Sequence, residues 1–274
     1  MNYPLIDPVI FHLGPLAIRW YGLMYVLGFA AFYLLAKYRI RSGQVQWKTQ
    51  EVADLLFYGV VGVVVGGRLG SVFFYGFDEF LRDPLSLVRI WEGGMSFHGG
   101  LVGAIGAMWL FARKTSRDFL AVTDFVAPLA PIGLGLGRIG NFINAELPGR
   151  VTDSFLGVHF PCASVRGLNL TCFADYEDTA RHVSSLYQAV AEGIVLFALV
   201  WLVSARPRTA GQVSGVFLIG YGVLRFLTEL VREPDPHIGF VAFGWMTMGQ
   251  LLSVPMALAG IALLLWSKRT GAQA

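Results

Sequence analysis

The stretch AVTDFVAPLAPIGLGLGRIG, residues 121–140, decides between two folds. Its GLGRIG segment at 135–140 has the G-x-G-x-x-G spacing that brings a dinucleotide's pyrophosphate to a helix N-terminus in soluble proteins. That fold also requires a preceding strand, a following helix and, about 20 positions on, an acidic residue within a βαβ unit. The stretch instead indicates an apolar helix interrupted by Pro128 and Pro131, which membrane proteins tolerate where irregular backbone lines a cavity. We therefore interpret residues 121–140 as a membrane span with Arg138 embedded in it.

The rest of the chain has the composition of a polytopic membrane protein. Of its 274 residues, 55% are hydrophobic and only 14% are charged, and the mean hydropathy is +0.59. Soluble domains carry about 25% charged residues. The net charge of +3 is small and dispersed, and it does not suggest a nucleic-acid partner. We expect an all-α fold that forms a single transmembrane domain over residues 1–274.

Seven apolar stretches predict transmembrane helices, since each approaches the roughly 20 residues that span a bilayer. Their ranges are 18–36, 52–70, 95–112, 121–140, 184–204, 213–231 and 245–266. Lys and Arg number eleven in the loops on one side and six on the other, and the cation-rich side is expected to be cytoplasmic. The N-terminus, which lacks the features of a signal peptide, is then extracytoplasmic and the C-terminus cytoplasmic. Residues 141–183 form a small extracytoplasmic head between helices four and five.

Both cysteines, Cys162 and Cys172, fall within this predicted head. An oxidising compartment permits a disulfide there, and the sequence leaves open whether the two thiols pair. Because neither cysteine lies in a predicted span, neither is a candidate for an intramembrane nucleophile.

Four of the 21 cations lie inside or at the edges of the predicted spans: Arg19, Arg68, Arg138 and Arg225. A charge in the bilayer costs at least about 2.5–3.5 kcal/mol, so such residues usually face a cavity and mark a functional site. Arg19, beside Trp20, is interpreted as an interfacial anchor. Arg68 fits either an anchor or a site. Arg138 and Arg225 lie deeper in their spans and predict functional roles.

The predicted topology places the unusual polar side chains at one depth, under the extracytoplasmic face. Spans two, four and six run outward, which puts Arg68, Arg138 and Arg225 in their outer halves. His98 and Tyr21 lie near the outer ends of spans three and one. Unrelated polar residues would be scattered across the membrane, so we predict one shared site. The G-x-x-x-G spacing that follows His98 is, taken alone, also a helix-packing pattern.

Helical spacing places further polar residues on the same faces. Asn141 lies three residues after Arg138, on the same side of a helix. The sixth span carries a polar stripe at steps of four, four and three residues: Tyr221, Arg225, Glu229 and Arg232. A structural alternative is a self-neutralising Arg225–Glu229 pair that only ties helices together.

A membrane cavity with arginines, a histidine, tyrosines and an amide suits an anionic phospholipid. Arginine can hold a phosphate bidentately, while amide and phenol groups can hydrogen-bond glycerol oxygens. Imidazole has an ordinary pKa suited to proton transfer near neutral pH, which makes His98 the candidate for that role. The five histidines lack metal-ligand spacing, and we expect neither a metal nor a cofactor. These residues indicate either an intramembrane enzyme or a carrier, such as a phospholipid or anion transporter.

Longer motifs favour the enzyme, because they resemble those of bacterial prolipoprotein diacylglyceryl transferases. The most specific are MSFHGGL at 95–101 and GRIGNFINAE at 137–146. The resemblance extends over nearly the whole chain, from RWYGLMYVLGF at 19–29 to MGQLLSVPM at 248–256. It implies seven transmembrane helices with the N-terminus outside and the C-terminus inside.

The resemblance implies transfer of the diacylglyceryl group of phosphatidylglycerol to the lipobox cysteine of a preprolipoprotein signal peptide, forming a thioether and releasing glycerol phosphate. His98 would assist deprotonation of that thiol, and Arg138 and Arg225 would bind and neutralise the phosphate. The remaining substrate-binding positions are Tyr21, Arg68, Asn141, Glu146, Tyr221 and Glu229. Such an enzyme would lie among membrane lipids in the bacterial inner membrane, with its active site toward the outer leaflet.

Three segments of the chain depart from the family pattern. RHVSSLYQ at 181–188 stands where the family often has RHPSQLYE, and ELPG at 146–149 replaces ELWG. The stretch 159–178 has no counterpart that we can place. These departures concern the predicted head and its junction with span five, whereas the intramembrane positions are intact.

Overall fold

The computed structural model describes residues 1–14, 16–89, 94–160, 179–234 and 238–271, most of which are helical. In chain order the helices are α1 (Trp20–Arg41), α2 (Thr49–Tyr75), α3 (Phe77–Arg82), a 3₁₀ helix (Pro84–Val88), α4 (Phe97–Thr115), α5 (Phe119–Val126), α6 (Ala130–Ile143), α7 (Ser184–Gln188), a π-helical segment (Ala189–Val195), α8 (Leu196–Ser204), α9 (Gln212–Glu229) and α10 (Met248–Gly271). The chain divides into two compact units, Met1–Leu35 with Asp124–Ala274, and Ala36–Thr123. The smaller of them is called the 36–123 unit below.

A helix overlaps each of the seven predicted spans. Within the described ranges, four helical stretches are long and apolar enough to cross a membrane, and the α5–α6 pair adds a fifth if it counts as one span. Helices α4 and α9 fall outside this set; glycines and a histidine dilute the apolar character of α4, and the polar stripe dilutes that of α9. A mostly helical protein with several apolar helices is therefore confirmed, while seven spans and the orientation of the termini stay predictions.

In the 36–123 unit, α2 and α4 pack backbone to backbone because glycine occupies the contact positions on both helices. A Cβ on Gly103 would overlap the carbonyl oxygen of Gly62, and a Cβ on Gly66 would overlap that of Gly99. Small residues allow this close approach between helices in membranes. The glycines after His98 therefore pack helices, as the spacing alone suggested.

We expect Gly103→Ala to destabilise the α2–α4 contact, because the added methyl group has no room beside Gly62. Overpacking typically costs about 1–3 kcal/mol, so the melting temperature of the purified protein in detergent should fall. Gly106→Ala is the matched control, since no atom lies within 4 Å of a Cβ at that position of the same helix. Equal melting temperatures for the two variants would contradict this packing.

Residues 121–140 form a helix that is broken at its prolines, as predicted. Helix α5 ends at Val126, α6 begins at Ala130, and the two axes differ in direction by 49°. Pro131 lies in the first turn of α6, where its missing N–H removes no intrahelical hydrogen bond. The glycine-rich part of the stretch lies within α6, and the element directly before it is helix α5 rather than a strand. The dinucleotide-binding interpretation is thereby excluded.

Span five contains an irregularity that the sequence did not indicate. Between α7 and α8 the segment Ala189–Val195 is π-helical, a rare form that often occurs at functional sites. Its Gly193 faces Gly135 of α6, and a Cβ on either residue would lie 2.8 Å from the Cα of the other. This contact brings the backbones of span five and α6 together one residue from Glu192.

Helix α9 is fixed at its N-terminal end by a carboxylate from α5. Asp124 accepts hydrogen bonds from the backbone N–H groups of Gly211 at 2.8 Å and Ser214 at 2.7 Å, and from the Ser214 hydroxyl at 2.5 Å. A carboxylate there satisfies helix N–H groups that have no intrahelical partner and complements the helix dipole. The position of the polar stripe on α9 is thus anchored to α5.

The chain before α1 forms an antiparallel hairpin of β1 (Val9–Leu13) and β2 (Leu16–Arg19). This hairpin lies outside the all-α expectation, because two short paired strands leave little trace in overall composition. Arg19 ends β2, so α1 begins one residue after it, at Trp20, rather than one residue before it as predicted.

The described part of the predicted head surrounds a small apolar core. Tyr3 packs there with Val158, Phe160 and Val183. Its hydroxyl donates a hydrogen bond to the carbonyl oxygen of Ile143 at 2.9 Å, and burial raises the pKa of the Tyr3 phenol to about 12. The N-terminal residues therefore pack directly against the end of α6.

Candidate functional site

One buried carboxylate joins the two arginines that the sequence singled out. Glu192 Oε2 lies 3.0 Å from Arg138 Nε, and Glu192 Oε1 lies 3.3 Å from Arg225 Nη1. The Glu192 side chain is fully buried, whereas 19% of the Arg138 side chain and 11% of the Arg225 side chain stay accessible. The carboxylate thus fixes both guanidinium groups while part of each arginine side chain stays accessible.

The ion pairs continue along α9 into a chain of alternating charges. Arg225 Nη2 lies 3.1 Å from Glu229 Oε2, and Arg232 Nη1 lies 2.8 Å from Glu229 Oε1. Glu229 is buried against the first turn of α10, where a Cβ on Gly249 would lie 2.7 Å from its Oε1 atom. With Arg138 and Glu192, these residues form what we call the charge chain: Arg138, Glu192, Arg225, Glu229 and Arg232. It contains three cations and two anions and carries a net charge of +1.

Burial explains why these charged side chains pair, and why the one positive charge left in excess favours binding of an anion. An unpaired ion in a low-dielectric interior costs several kcal/mol, so alternating partners are needed to keep these side chains charged. The pairing leaves one cation in excess, and the Arg138 side chain is the most accessible of the three arginines, at 19% against 11% for Arg225 and 10% for Arg232. Tyr221, one turn before Arg225, adds a hydroxyl that interacts electrostatically with Arg138 and Arg225. This arrangement can bind one singly charged anion without leaving a net buried charge.

A second polar group lies at the end of α6 and in the residues that follow it. Glu146 accepts hydrogen bonds from the Asn141 amide at 2.8 Å and the Asn144 amide at 3.1 Å. The Tyr21 ring packs against Gly140, where a Cβ would lie 2.7 Å from the ring. Its hydroxyl lies 3.4 Å from that of Tyr25. Electrostatic interactions connect Tyr21 with both Glu146 and Arg138, so this group adjoins the charge chain.

His98 and Arg68 belong to the 36–123 unit. Arg68 Nε donates a hydrogen bond to the Leu87 carbonyl oxygen at 3.1 Å, and its Nη groups donate to the carbonyls of Ser86 and Gly94. These bonds give Arg68 a structural role in holding the 3₁₀ helix. His98 lies in the first turn of α4 with an exposed side chain, and its ring meets Phe97 edge to face.

Seven of the nine predicted site residues belong to the larger unit, and the structure brings these seven together. Arg138, Arg225, Tyr221 and Glu229 share one network, and Asn141, Glu146 and Tyr21 lie beside it. The Arg225–Glu229 pair exists, but it is one link of a longer chain rather than a self-contained pair.

Sequence reasoning missed Glu192 and Asn144. Glu192 is the only charged residue in the predicted span 184–204, which made it as unusual as the arginines. Counting intramembrane acids as well as cations would have found it. Asn144 carries no such signal, because its role depends on the turn that brings its amide to Glu146.

The altered segment 181–188 docks through its backbone as well as its side chains. The His182 carbonyl accepts a hydrogen bond from the Gly149 N–H at 2.8 Å, and Arg181 Nη1 lies 3.1 Å from Glu233 Oε2. His182 Nδ1 lies 3.4 Å from the Tyr187 hydroxyl. The departures from the family pattern therefore leave this junction connected. Whether Cys162 and Cys172 form a disulfide concerns residues that lie outside the described ranges.

Apolar helices around a buried, arginine-rich polar network define a helical membrane protein. The sequence matches the family model of prolipoprotein diacylglyceryl transferase over residues 8–266. The chain is 53% identical to the phosphatidylglycerol–prolipoprotein diacylglyceryl transferase of Chromohalobacter salexigens, over 98% of this chain and 95% of that protein. Proteins of the same name from Legionella pneumophila (strain Lens), at 49% identity, and Coxiella burnetii, at 50%, cover 98% of this chain and at least 98% of their own lengths. The chain belongs to the prolipoprotein diacylglyceryl transferase family.

Proposed function

We propose that this protein transfers the diacylglyceryl group of phosphatidylglycerol to the lipobox cysteine of preprolipoproteins, as the names of its relatives indicate. The structural observation that supports this proposal is the charge chain. A buried network with one excess positive charge, in a protein of this family, matches the single negative charge of a phosphodiester. The proposed transfer reaction is the first step of bacterial lipoprotein maturation.

The reaction exchanges one bond at a glycerol carbon. The thiol sulfur forms a bond to this carbon, the bond from the carbon to the phosphate oxygen breaks, and glycerol phosphate leaves. A thiol must lose its proton to become an effective nucleophile. We assign that proton transfer to His98, since imidazole exchanges protons near neutral pH.

Arg138 and Arg225 would bind the phosphate and stabilise the negative charge that develops on its leaving oxygen. Guanidinium groups fixed in advance by Glu192 need little rearrangement during the reaction, which is how preorganised donors lower a barrier. Around them we assign substrate binding to Tyr21, Asn141, Glu146, Tyr221 and Glu229. Arg68 is kept as a substrate-binding position because a cation in an apolar span usually marks a site, although its described bonds hold the 3₁₀ helix.

The finer topology is part of the same proposal. The chain crosses the inner membrane seven times, with the N-terminus outside and the C-terminus inside. Residues 141–183 form the extracytoplasmic head, and the active site faces the outer leaflet. The distribution of Lys and Arg between the loops supports this orientation. Membrane lipids and the signal peptides of preprolipoproteins are the expected partners.

A lipobox peptide tests the function directly. Purified protein given phosphatidylglycerol should convert a lipobox peptide to its thioether, while the same peptide with serine in place of cysteine should stay unmodified, because the neutral hydroxyl is a far weaker nucleophile than a thiolate. Mass spectrometry of the two peptides measures the outcome. A phospholipid or anion transporter would modify neither peptide and would instead move lipid or anion across a sealed vesicle. Two unmodified peptides would refute the transferase.

A further inference from the structure

We infer that Glu192 is an internal counter-anion that limits how tightly the arginine pair holds phosphate, so that the product can leave. The inference rests on the proposed function and assigns a role to a residue beyond the predicted site. The Glu192 carboxylate occupies donors on both Arg138 and Arg225 at once.

The contacts place Glu192 in direct competition with a bound phosphate. Its two oxygens contact different guanidinium groups, at 3.0 Å on Arg138 and 3.3 Å on Arg225. A phosphate that approaches the same pair therefore meets donors whose positive charge is already partly neutralised. Carboxylate and phosphate oxygens are alternative acceptors for the same guanidinium geometry.

The backbone keeps this carboxylate in place. Glu192 lies in the π-helical segment, one residue before Gly193, whose backbone touches that of Gly135. Gly135 precedes Arg138 by almost one turn of α6, so the contact that joins the two helices lies next to the ion pair. A carboxylate that is fully buried has no solvent into which it can swing away when phosphate arrives. It remains close to the bound ligand.

Charge counting shows what such a competitor does. The charge chain has a net charge of +1, and a phosphodiester bound to it gives a neutral assembly. Without Glu192 the network would carry +2 and would attract phosphate more strongly in substrate and product alike. The product is a phosphate monoester with up to two negative charges, so a +2 network would hold it more tightly still than the singly charged substrate, and slow product release lowers turnover. Glu192 therefore lowers the affinity for phosphate and, by speeding product release, raises turnover.

A purely structural ion pair makes a different prediction. If Glu192 only tied α6 to α9, its loss would loosen both arginines, weaken phosphate binding and raise KM. The counter-anion role predicts the reverse: tighter binding of phosphate, a lower KM for phosphatidylglycerol and a lower kcat. The sign of the change in affinity separates the two roles.

The experiment uses Glu192→Gln, which keeps the size of the side chain and removes its charge. In nanodiscs made only of phosphatidylcholine, isothermal titration with glycerol phosphate should give a Kd at least about tenfold lower than that of the wild type. In the transfer assay, kcat and the KM for phosphatidylglycerol should both fall. Unchanged or weaker binding of glycerol phosphate would overturn the inference.

Two further variants keep the test decisive. Glu192→Asp retains the charge on a shorter side chain that cannot reach both arginines, and its Kd should lie between those of Glu192→Gln and the wild type; it replaces Glu192→Gln if that variant does not fold, and a Kd no lower than the wild type's would then refute the role. Asp153→Asn removes an exposed carboxylate of the same unit that has no part in the charge chain, and it should leave the Kd unchanged. Wild-type protein that lacks transfer activity would refute the proposed function, whereas active wild type with unaltered binding in the variants would refute only the role of Glu192.

Discussion

Replacing Arg138 with alanine is expected to reduce diacylglyceryl transfer by about a hundred- to a thousandfold. The substitution removes one of two guanidinium groups proposed to stabilise charge on the departing phosphate, and loss of one preorganised donor typically costs this much. Arg138→Lys should also lose most activity, since an ammonium group cannot reproduce a planar, bidentate contact. Turnover of a lipobox peptide by protein in phosphatidylglycerol nanodiscs measures both effects.

A lower transfer rate in this variant can come from impaired catalysis or from impaired folding, and control variants distinguish the two causes. Arg138→Ala leaves Glu192 buried with a single partner, and breaking a buried pair in this way can cost about 3–5 kcal/mol. The double variant Arg138→Ala with Glu192→Gln removes both charges, so it should fold and remain inactive. Arg208→Ala, at an exposed arginine of the α8–α9 connection, should retain wild-type turnover. A folded Arg138→Ala variant with wild-type turnover would remove Arg138 from the mechanism.

Replacing His98 with glutamine is expected to lower kcat by at least about a hundredfold, the usual contribution of a general base. Glutamine has similar size and hydrogen-bonding ability, but it does not take up a proton near neutral pH. The KM for phosphatidylglycerol should change little, because the phosphate is assigned to Arg138 and Arg225 and not to His98. Steady-state kinetics at varied lipid and peptide concentrations separate the two parameters.

The exposure of His98 makes this variant informative. An exposed side chain contributes little packing, so the melting temperature should stay near that of the wild type. His12→Gln is the matched control, because His12 is an exposed histidine of the β-hairpin and should be dispensable. Added imidazole should restore part of the activity of His98→Ala. A His98→Gln enzyme with undiminished kcat would assign the proton transfer to another group.

The sequence predicted the cationic half of the candidate site but not its anionic centre. Arg138 and Arg225 stand out because a cation in an apolar span is costly wherever it lies. Glu192 is equally unusual in its span, yet its partners depend on how two helices are rotated and how closely they approach. The π-helical segment and the Gly135–Gly193 contact set both quantities. Neither feature appears in residue spacing along one helix.

The fold shows the same division between local and non-local information. Prolines 128 and 131 predicted the break between α5 and α6, since a missing N–H and a fixed φ act on their own turn. The β1–β2 hairpin was not expected, because pairing between two short strands depends on register more than on composition. The binding of α9 to Asp124 likewise joins residues about 90 positions apart.

By itself, the amino-acid order determined the helical membrane class, the family and the cations that the bilayer makes expensive. These properties follow from composition, local backbone preference and long motifs, each of which is complete within one stretch of chain. Only the tertiary structure decided that Glu192 bridges Arg138 to Arg225 and that five charges form one network with a net charge of +1. A direct ion pair needs its two groups within about 4 Å of each other, so it is decided by which helices touch and not by the order in which their residues occur.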